Sequence, residues 1–349
     1  MVVNRRGLAL SAAAFIILTA VLGAQKKDDK KQSDAQKKEI LDIVKLVDGT
    51  SAGQPATNDF GLTWAHEDYL KATSNKEYVP FTITFDASKI TSPNIALYWR
   101  VVAKDTGATA TLTLPAGKKD DKDKKPVSKY AYEDINFIPG NSGMGRLSRS
   151  FTVGAGTYDV YVVMKEPAST QKNAPAAKVS IVKQTVTVPD FWAPELATSS
   201  VIVASRIEPL NAPLSPNEQS ERPYALGMME IVPALDTKFT TKGELSVFML
   251  IYNPKTDPMN KPDVLVEYNF YTKPAGAPEK FFNKTTPQAL NGMTLPAAFD
   301  MALGHQLQTG QAVPLASFPA GDYRLEIKVT DKLTTKTLVR DVNFTVTAG

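Results

Sequence analysis

The sequence predicts an all-β protein: two tandem antiparallel β-sandwiches behind a signal peptide and a short N-terminal helix. Three observations predict it. Apolar and polar residues alternate with a period of two, as in Phe81, Ile83 and Phe85 against Thr82 and Thr84, which is the pattern of a strand with one buried face. The 24 prolines punctuate the 349 residues and leave little room for long helices. The two halves also repeat one another, at a period too long for a solenoid and suited to tandem domains.

In chain order, residues 1–24 read as a secretory signal. Arg5 and Arg6 form its positive start, Leu8 to Leu22 its apolar stretch, and Gly23 and Ala24 its small-residue end. A 15-residue apolar stretch falls short of the roughly 20 residues that span a bilayer. Gln25 stands where a lipoprotein would need cysteine. The protein is therefore expected to be exported, and to stay at a membrane only if the signal is uncleaved. Residues 25–49 are a charged leader and a short helix. Lys26 to Lys31 carry mixed charge with nothing to bury. Ser33 and Gln36 form a capping box, Ile40, Leu41, Val44 and Val47 fall on one face, and Gly49 is the stop. That helix is expected to cap the first domain. The first sandwich spans 50–188, a linker 189–195, and the second sandwich 196–349. Within the linker, Phe191 and Trp192 are expected to wedge between the domains.

The repeat is carried by ordered matches. Ser150-Phe151 and Ala155-Gly156-Thr157-Tyr158 recur as Ser317-Phe318 and Ala320-Gly321-Asp322-Tyr323, with 165 residues between the tyrosines. Phe81–Asp86 matches Phe248–Asn253 at a spacing of 167, and Asn94–Val101 matches Asp263–Phe270 at 169. In each sandwich many short strands bury one face each. Trp99, in an early strand, resembles the core tryptophan of immunoglobulin-like domains, and Tyr268 takes its place in the second copy. Ala-Gly-x-Tyr at Tyr158 and Tyr323 resembles the turn and tyrosine of the sixth strand in immunoglobulin-like and fibronectin-like modules. The stretch Leu196–Ala204, with Phe318–Tyr323, is similar to segments of secreted bacterial β-sandwich proteins, including those with GWxTD domains. That resemblance implies export and no particular activity.

Composition narrows the chemistry. The absence of cysteine removes disulfides, thiol catalysis and Cys-ligated metals. A formal charge of +4, reduced by two when Arg5 and Arg6 leave, gives no nucleic-acid footprint. His66 and His305 lack a Gly-x-Ser-x-Gly partner and are read as surface residues. Gly140–Arg146 is glycine-rich, but Arg146–Val153 after it reads as a strand, not the helix a phosphate loop requires. Lys118–Lys125 sets five lysines against three aspartates without aromatics. It is read as a solvated hairpin loop, with weak attraction to anionic glycans or lipid headgroups as the alternative. No catalytic, metal-binding or cofactor-binding residue is predicted.

One strand differs between the copies. Where Thr82 and Thr84 face outward in the first, the match places Met249 and Ile251 in the second, joined by Val247. Val247, Met249 and Ile251 are the candidate interaction surface, unless Pro254–Pro262 and Phe281–Gln311 cover them. The function expected is an exported, non-catalytic structural or protein-interaction module of the bacterial envelope, periplasmic or at the cell surface, with an envelope or extracellular protein as partner. The alternative is a carbohydrate-binding module using Tyr98 and Tyr161, which face outward by alternation. An enzyme using Glu67 and Asp68 is the third reading and has no special spacing behind it.

Overall fold

The structure is a computed structural model that describes residues 33–104, 130–141, 145–169 and 173–349. The signal, most of the leader and the Lys118–Lys125 loop lie outside the described residues. The chain divides into two compact units, which among the described residues comprise 33–67 with 74–190, and 68–73 with 191–349.

The first unit runs α1 (Asp34–Ser51), β1 (Thr63–Glu67), then, past β2 (Leu70–Lys71), which belongs to the second unit, β3 (Glu77–Thr84), β4 (Asn94–Ala103), β5 (Tyr132–Pro139), β6 (Arg146–Val153), β7 (Gly156–Lys165) and β8 (Val179–Val188). β3 pairs antiparallel with β1 and β6, and the other sheet has the order β5-β4-β7-β8. The inward residues meet in an aromatic core. Phe81 stacks on Trp64 at 4.6 Å and meets the edge of Trp99 at 6.3 Å. The Trp99 indole donates to the Ser150 carbonyl at 3.1 Å, so its one polar atom is satisfied.

α1 begins as predicted: the Ser33 hydroxyl accepts from the Gln36 N–H, and the Gln36 side chain accepts from the Ser33 N–H. It passes Gly49 and ends at Ser51, where the Ala52 N–H donates to the Asp48 and Gly49 carbonyls. Its buried face is Glu39, Ile43 and Val47, a spacing of four; Leu41, expected on that face, is exposed. Ile43 and Val47 pack with Ala96, Tyr98, Tyr161, Val163, Val179 and Ile181, which line the outer face of the β5-β4-β7-β8 sheet. Two ionic links fasten the helix there. Lys165 Nζ donates to Glu39 at 2.5 Å with both side chains about nine-tenths buried. Arg100, 2% exposed, donates to Asp48 at 2.6 Å, to Glu133 at 3.0 Å and to the Tyr98 hydroxyl at 2.6 Å, and lies over the Tyr130 ring at 3.9 Å. Burial, reinforced by the hydrogen bond to Glu133, pushes the Tyr98 phenol far above its ordinary value.

The second unit contains β9 (Ala197–Thr198), β10 (Ile202–Pro209), α2 (Pro216–Glu221), β11 (Ala225–Leu226), β12 (Met229–Pro233), β13 (Lys238–Thr240), β14 (Glu244–Tyr252), β15 (Val264–Thr272), β16 (Lys280–Lys284), β17 (Gln288–Leu290), β18 (Leu307–Pro314), β19 (Gly321–Asp331) and β20 (Lys336–Thr347). One sheet has the order β11-β12-β10-β14-β18, with β9 also on β14; the other has β13-β20-β19-β15-β16, with β17 also on β15. Strand for strand, β16-β15-β19-β20 repeats β5-β4-β7-β8. β14 and β18 likewise repeat β3 and β6. Tyr268 occupies the place of Trp99 in the core and shares a 2.7 Å hydrogen bond with Thr309.

The Ala-Gly-x-Tyr turns serve the same purpose in both units. The Tyr158 hydroxyl donates to the Gly154 carbonyl at 2.9 Å, and that of Tyr323 to the Pro319 carbonyl at 2.7 Å. In each, the ring tethers a strand start to the chain four residues earlier. Gly156 and Gly321 hold φ of +148° and +158°, which side chains rarely adopt.

One end of the last strand of each unit is flanked. β13 runs parallel along β20, from Lys238 against Thr345 to Thr240 against Thr347. Along β8, the Ile181 N–H donates to the Thr57 carbonyl, the Asp59 N–H to the Val179 carbonyl, and Asn58 bridges Ser180.

Candidate functional site

Val247, Met249 and Ile251 are not a surface. All three belong to the core of the second unit, with Leu245, Val266, Tyr268 and Leu325, and are no more than 2% exposed. The spacing of 167 is one residue out of register for this strand. Phe81 points into its core, whereas Phe248 lies on the face of β14 opposite Val247 and Met249. A one-residue slip turns every side chain of a strand over. Phe248 and Leu250 are also buried, so β14 is apolar and buried on both faces. Tyr98 and Tyr161 do face away from the sandwich core, but α1 covers them and both are buried. They offer no platform to a sugar.

The histidines and carboxylates are placed as follows. His305 accepts the Asp300 N–H through Nδ1 at 2.9 Å and lies 5.7 Å from the Phe299 ring, fastening a turn. His66 sits in β1 beside a bulge opposite Thr82. Glu67 accepts from the Trp64 indole at 2.6 Å, and Asp68 is buried. Arg146–Val153 is β6, as the sequence predicts. Phe191 packs on Tyr252 at 5.0 Å, while Lys71 lies 4.4 Å over the Trp192 ring, all within the second unit. Among the described residues no group of three or more His, Cys, Asp or Glu could hold a metal ion, and no helix is long and apolar enough to cross a membrane.

What sequence reasoning missed lies at one end of the second unit. Three connections converge where β14 ends and β15 begins: residues 253–263, 291–306 and 332–335. Pairing of Val264 with both Asp331 and Leu290, and of Ile251 with Leu307, brings them together. They present Met259 at 73% exposure, Met293 at 96%, Leu303 at 72% and Leu333 at 45%. Large apolar side chains this exposed, on three adjacent loops, are the most exposed apolar groups at this end of the unit.

These loops are held by their own polar groups. Asp257 accepts from the Met259 N–H at 2.8 Å and the Lys261 N–H at 2.9 Å, and Asn260 takes a φ of +58° between them. Lys261 Nζ reaches the next loop and donates to the carbonyls of Ala297 and Phe299. Asn291 accepts from the Met293 N–H at 2.9 Å. Buried Asp331 ties the third loop to the first, accepting from the N–H groups of Lys255 and Leu333 at 3.0 Å each and from the Thr334 hydroxyl at 2.8 Å. A shared scaffold of this kind lowers the entropy lost on binding.

The strand order and the two tyrosine turns define the class: an all-β protein with immunoglobulin-like strand topology. No family model matches the chain, and no curated protein matches it in sequence. Solved structures it is similar to include a mutant Salmonella alpha-2-macroglobulin, at 11% identity over 84% of this chain and 17% of that one, with a TM-score of 0.21. Native Escherichia coli alpha-2-macroglobulin gives 11% identity over 85% and 16%, and its trypsin-activated form 10% over 84% and 17%, both with a TM-score of 0.21. The chain spans about a sixth of the length of those proteins.

Proposed function

We propose that the protein is an exported, non-catalytic interaction module of the bacterial cell envelope, which holds a partner protein at the loop end of its second unit. The observation that carries the reading is the exposure of Met259, Met293, Leu303 and Leu333 on three loops braced by Asp257, Lys261 and Asp331. Methionine suits such a surface because its flexible, polarisable side chain adapts to a partner. Export is supported by the signal pattern of residues 1–24.

The test places a photo-crosslinking amino acid at Met293 and, separately, at Phe281, an exposed position on β16 at the end of β15 opposite the loops. A discrete protein adduct from Met293 but not from Phe281, weakened by Met259→Ser, is the expected result. The same adducts from both positions, or none from Met293, would refute the reading.

A further inference from the structure

Between the first and third of these loops lies a surface depression of about 440 Å³. Apolar residues Pro194, Leu196 and Pro254 line it together with Lys255, Lys336 and Asp331. Its wall is set by Asn253, whose φ of +55° turns the chain after β14. The Asn253 side-chain amide donates to the carbonyls of Phe191, Ala193 and Glu195 at 3.0, 2.8 and 3.1 Å, pinning the segment that bears Pro194.

The charges around it are unevenly used. Asp331 is 1% exposed and fully engaged with the N–H groups and hydroxyl named above. Asp257 is spent on two backbone N–H groups, Lys261 on two carbonyls, and Lys332 stands 3.9 Å from Asp263. Lys255 and Lys336 are exposed and, among the described residues, neither ammonium has a carboxylate within ion-pair distance. The negative charge is thus turned inward, while two positive charges line a mainly polar depression whose apolar part is Pro194, Leu196 and Pro254, on the same loops that bear Met259 and Leu333.

We propose that this depression receives a carboxylate side chain from the partner, and that the segment bound is an acidic residue flanked by apolar ones. This rests on the interaction reading above and specifies the chemistry of its partner. Lys255 and Lys336 complement the carboxylate, and Met259 and Leu333 cover the flanking side chains. Charge complementarity of this kind contributes more to specificity and encounter rate than to affinity.

The test uses two capped peptides, acetyl-Leu-Glu-Leu-amide and acetyl-Leu-Gln-Leu-amide, titrated into the ¹⁵N-labelled protein at low salt. The expected result is that the glutamate peptide shifts the backbone amides of Lys255, Thr256, Thr334 and Lys336 and binds more tightly than the glutamine peptide. Lys255→Gln and Lys336→Gln should each cost about two- to fivefold, the range for exposed ion pairs, and the double variant should abolish the difference between the peptides. An unchanged thermal transition shows that the variants fold. Equal binding of both peptides, no binding of either, or no effect of the double variant would overturn the proposal. The Met293 adduct separates the two readings: if the inference alone fails, the adduct persists in the double variant, and if the interaction reading fails, the adduct is absent from the unaltered loops.

Discussion

Replacing Glu39 with alanine tests whether α1 is an integral layer of the first unit. The substitution removes the carboxylate that faces Lys165, whose ammonium then keeps only the Glu166 carbonyl at 3.1 Å. An exposed ion pair contributes about 0.2–1 kcal/mol, whereas removing one partner of a buried pair costs about 3–5 kcal/mol. The Glu39 and Lys165 side chains are 10% and 9% exposed, and one hydrogen bond to the lysine survives. The expected loss is therefore about 2–3 kcal/mol, just below the fully buried range. Urea unfolding followed by tryptophan fluorescence measures it, since Trp64 and Trp99 report on the first unit and Trp192 on the second. With a slope of about 2 kcal/mol per molar urea, the first-unit midpoint should fall by about 1 M or more, leaving the second unmoved. Glu39→Leu combined with Lys165→Met should recover most of the loss, because no charge is then stranded. A shift under about 0.5 kcal/mol for Glu39→Ala, the usual size at a plain surface site, would show that the pair is solvated and that α1 does not depend on it.

Tyr158→Phe and Tyr323→Phe should each cost about 1 kcal/mol, the first in the first-unit transition and the second in the second-unit transition, because each removes one hydrogen bond and no ring. Met249→Asp should unfold the second unit, since it buries a carboxylate in a hydrophobic core; a cooperative second-unit transition at the normal midpoint would refute that placement. Burial opposes ionisation of Glu166, but the N–H groups of Thr91 and Ser92 and the Thr91 hydroxyl outweigh it, holding the carboxyl below its ordinary 4.5. A depressed folded pKa gives stability that is present above 4.5 and lost as pH falls below it, so first-unit stability should drop less between pH 5 and 3 in Glu166→Gln than in the parent. Burial, partly offset by the hydrogen bond with Thr309, pushes Tyr268 up to about 12. The second unit should accordingly weaken as pH rises above 10, and Tyr268→Phe should lessen that dependence.

Much of the fold was legible because strand alternation and turn residues are local signals. β6 falls on Arg146–Val153 as predicted, and Trp99, Tyr158, Tyr268 and Tyr323 all take the places their neighbours imply. The errors came from information that is not local. Alternation says which residues share a face but not what covers that face, so Tyr98 and Tyr161 read as outward although α1 lies over them. The match of Phe81 to Phe248 looked sound as a string of apolar residues, but an apolar run on both faces carries no parity signal, and a slip of one residue inverted β14. The loop end was illegible for a different reason. Exposure of Met259 and Met293 depends on three loops separated by dozens of residues, and single apolar residues in loops do not stand out in a sequence.

The flanking of β8 by residues 57–59 and of β20 by β13 has a consequence for contact between copies of the chain. A terminal strand with a bare row of N–H and C=O groups would recruit any passing strand, including one from another copy. Here one end of each terminal strand, residues 179–181 of β8 and 345–347 of β20, already has backbone partners on that row. Another strand is thus kept from pairing at those two strand ends.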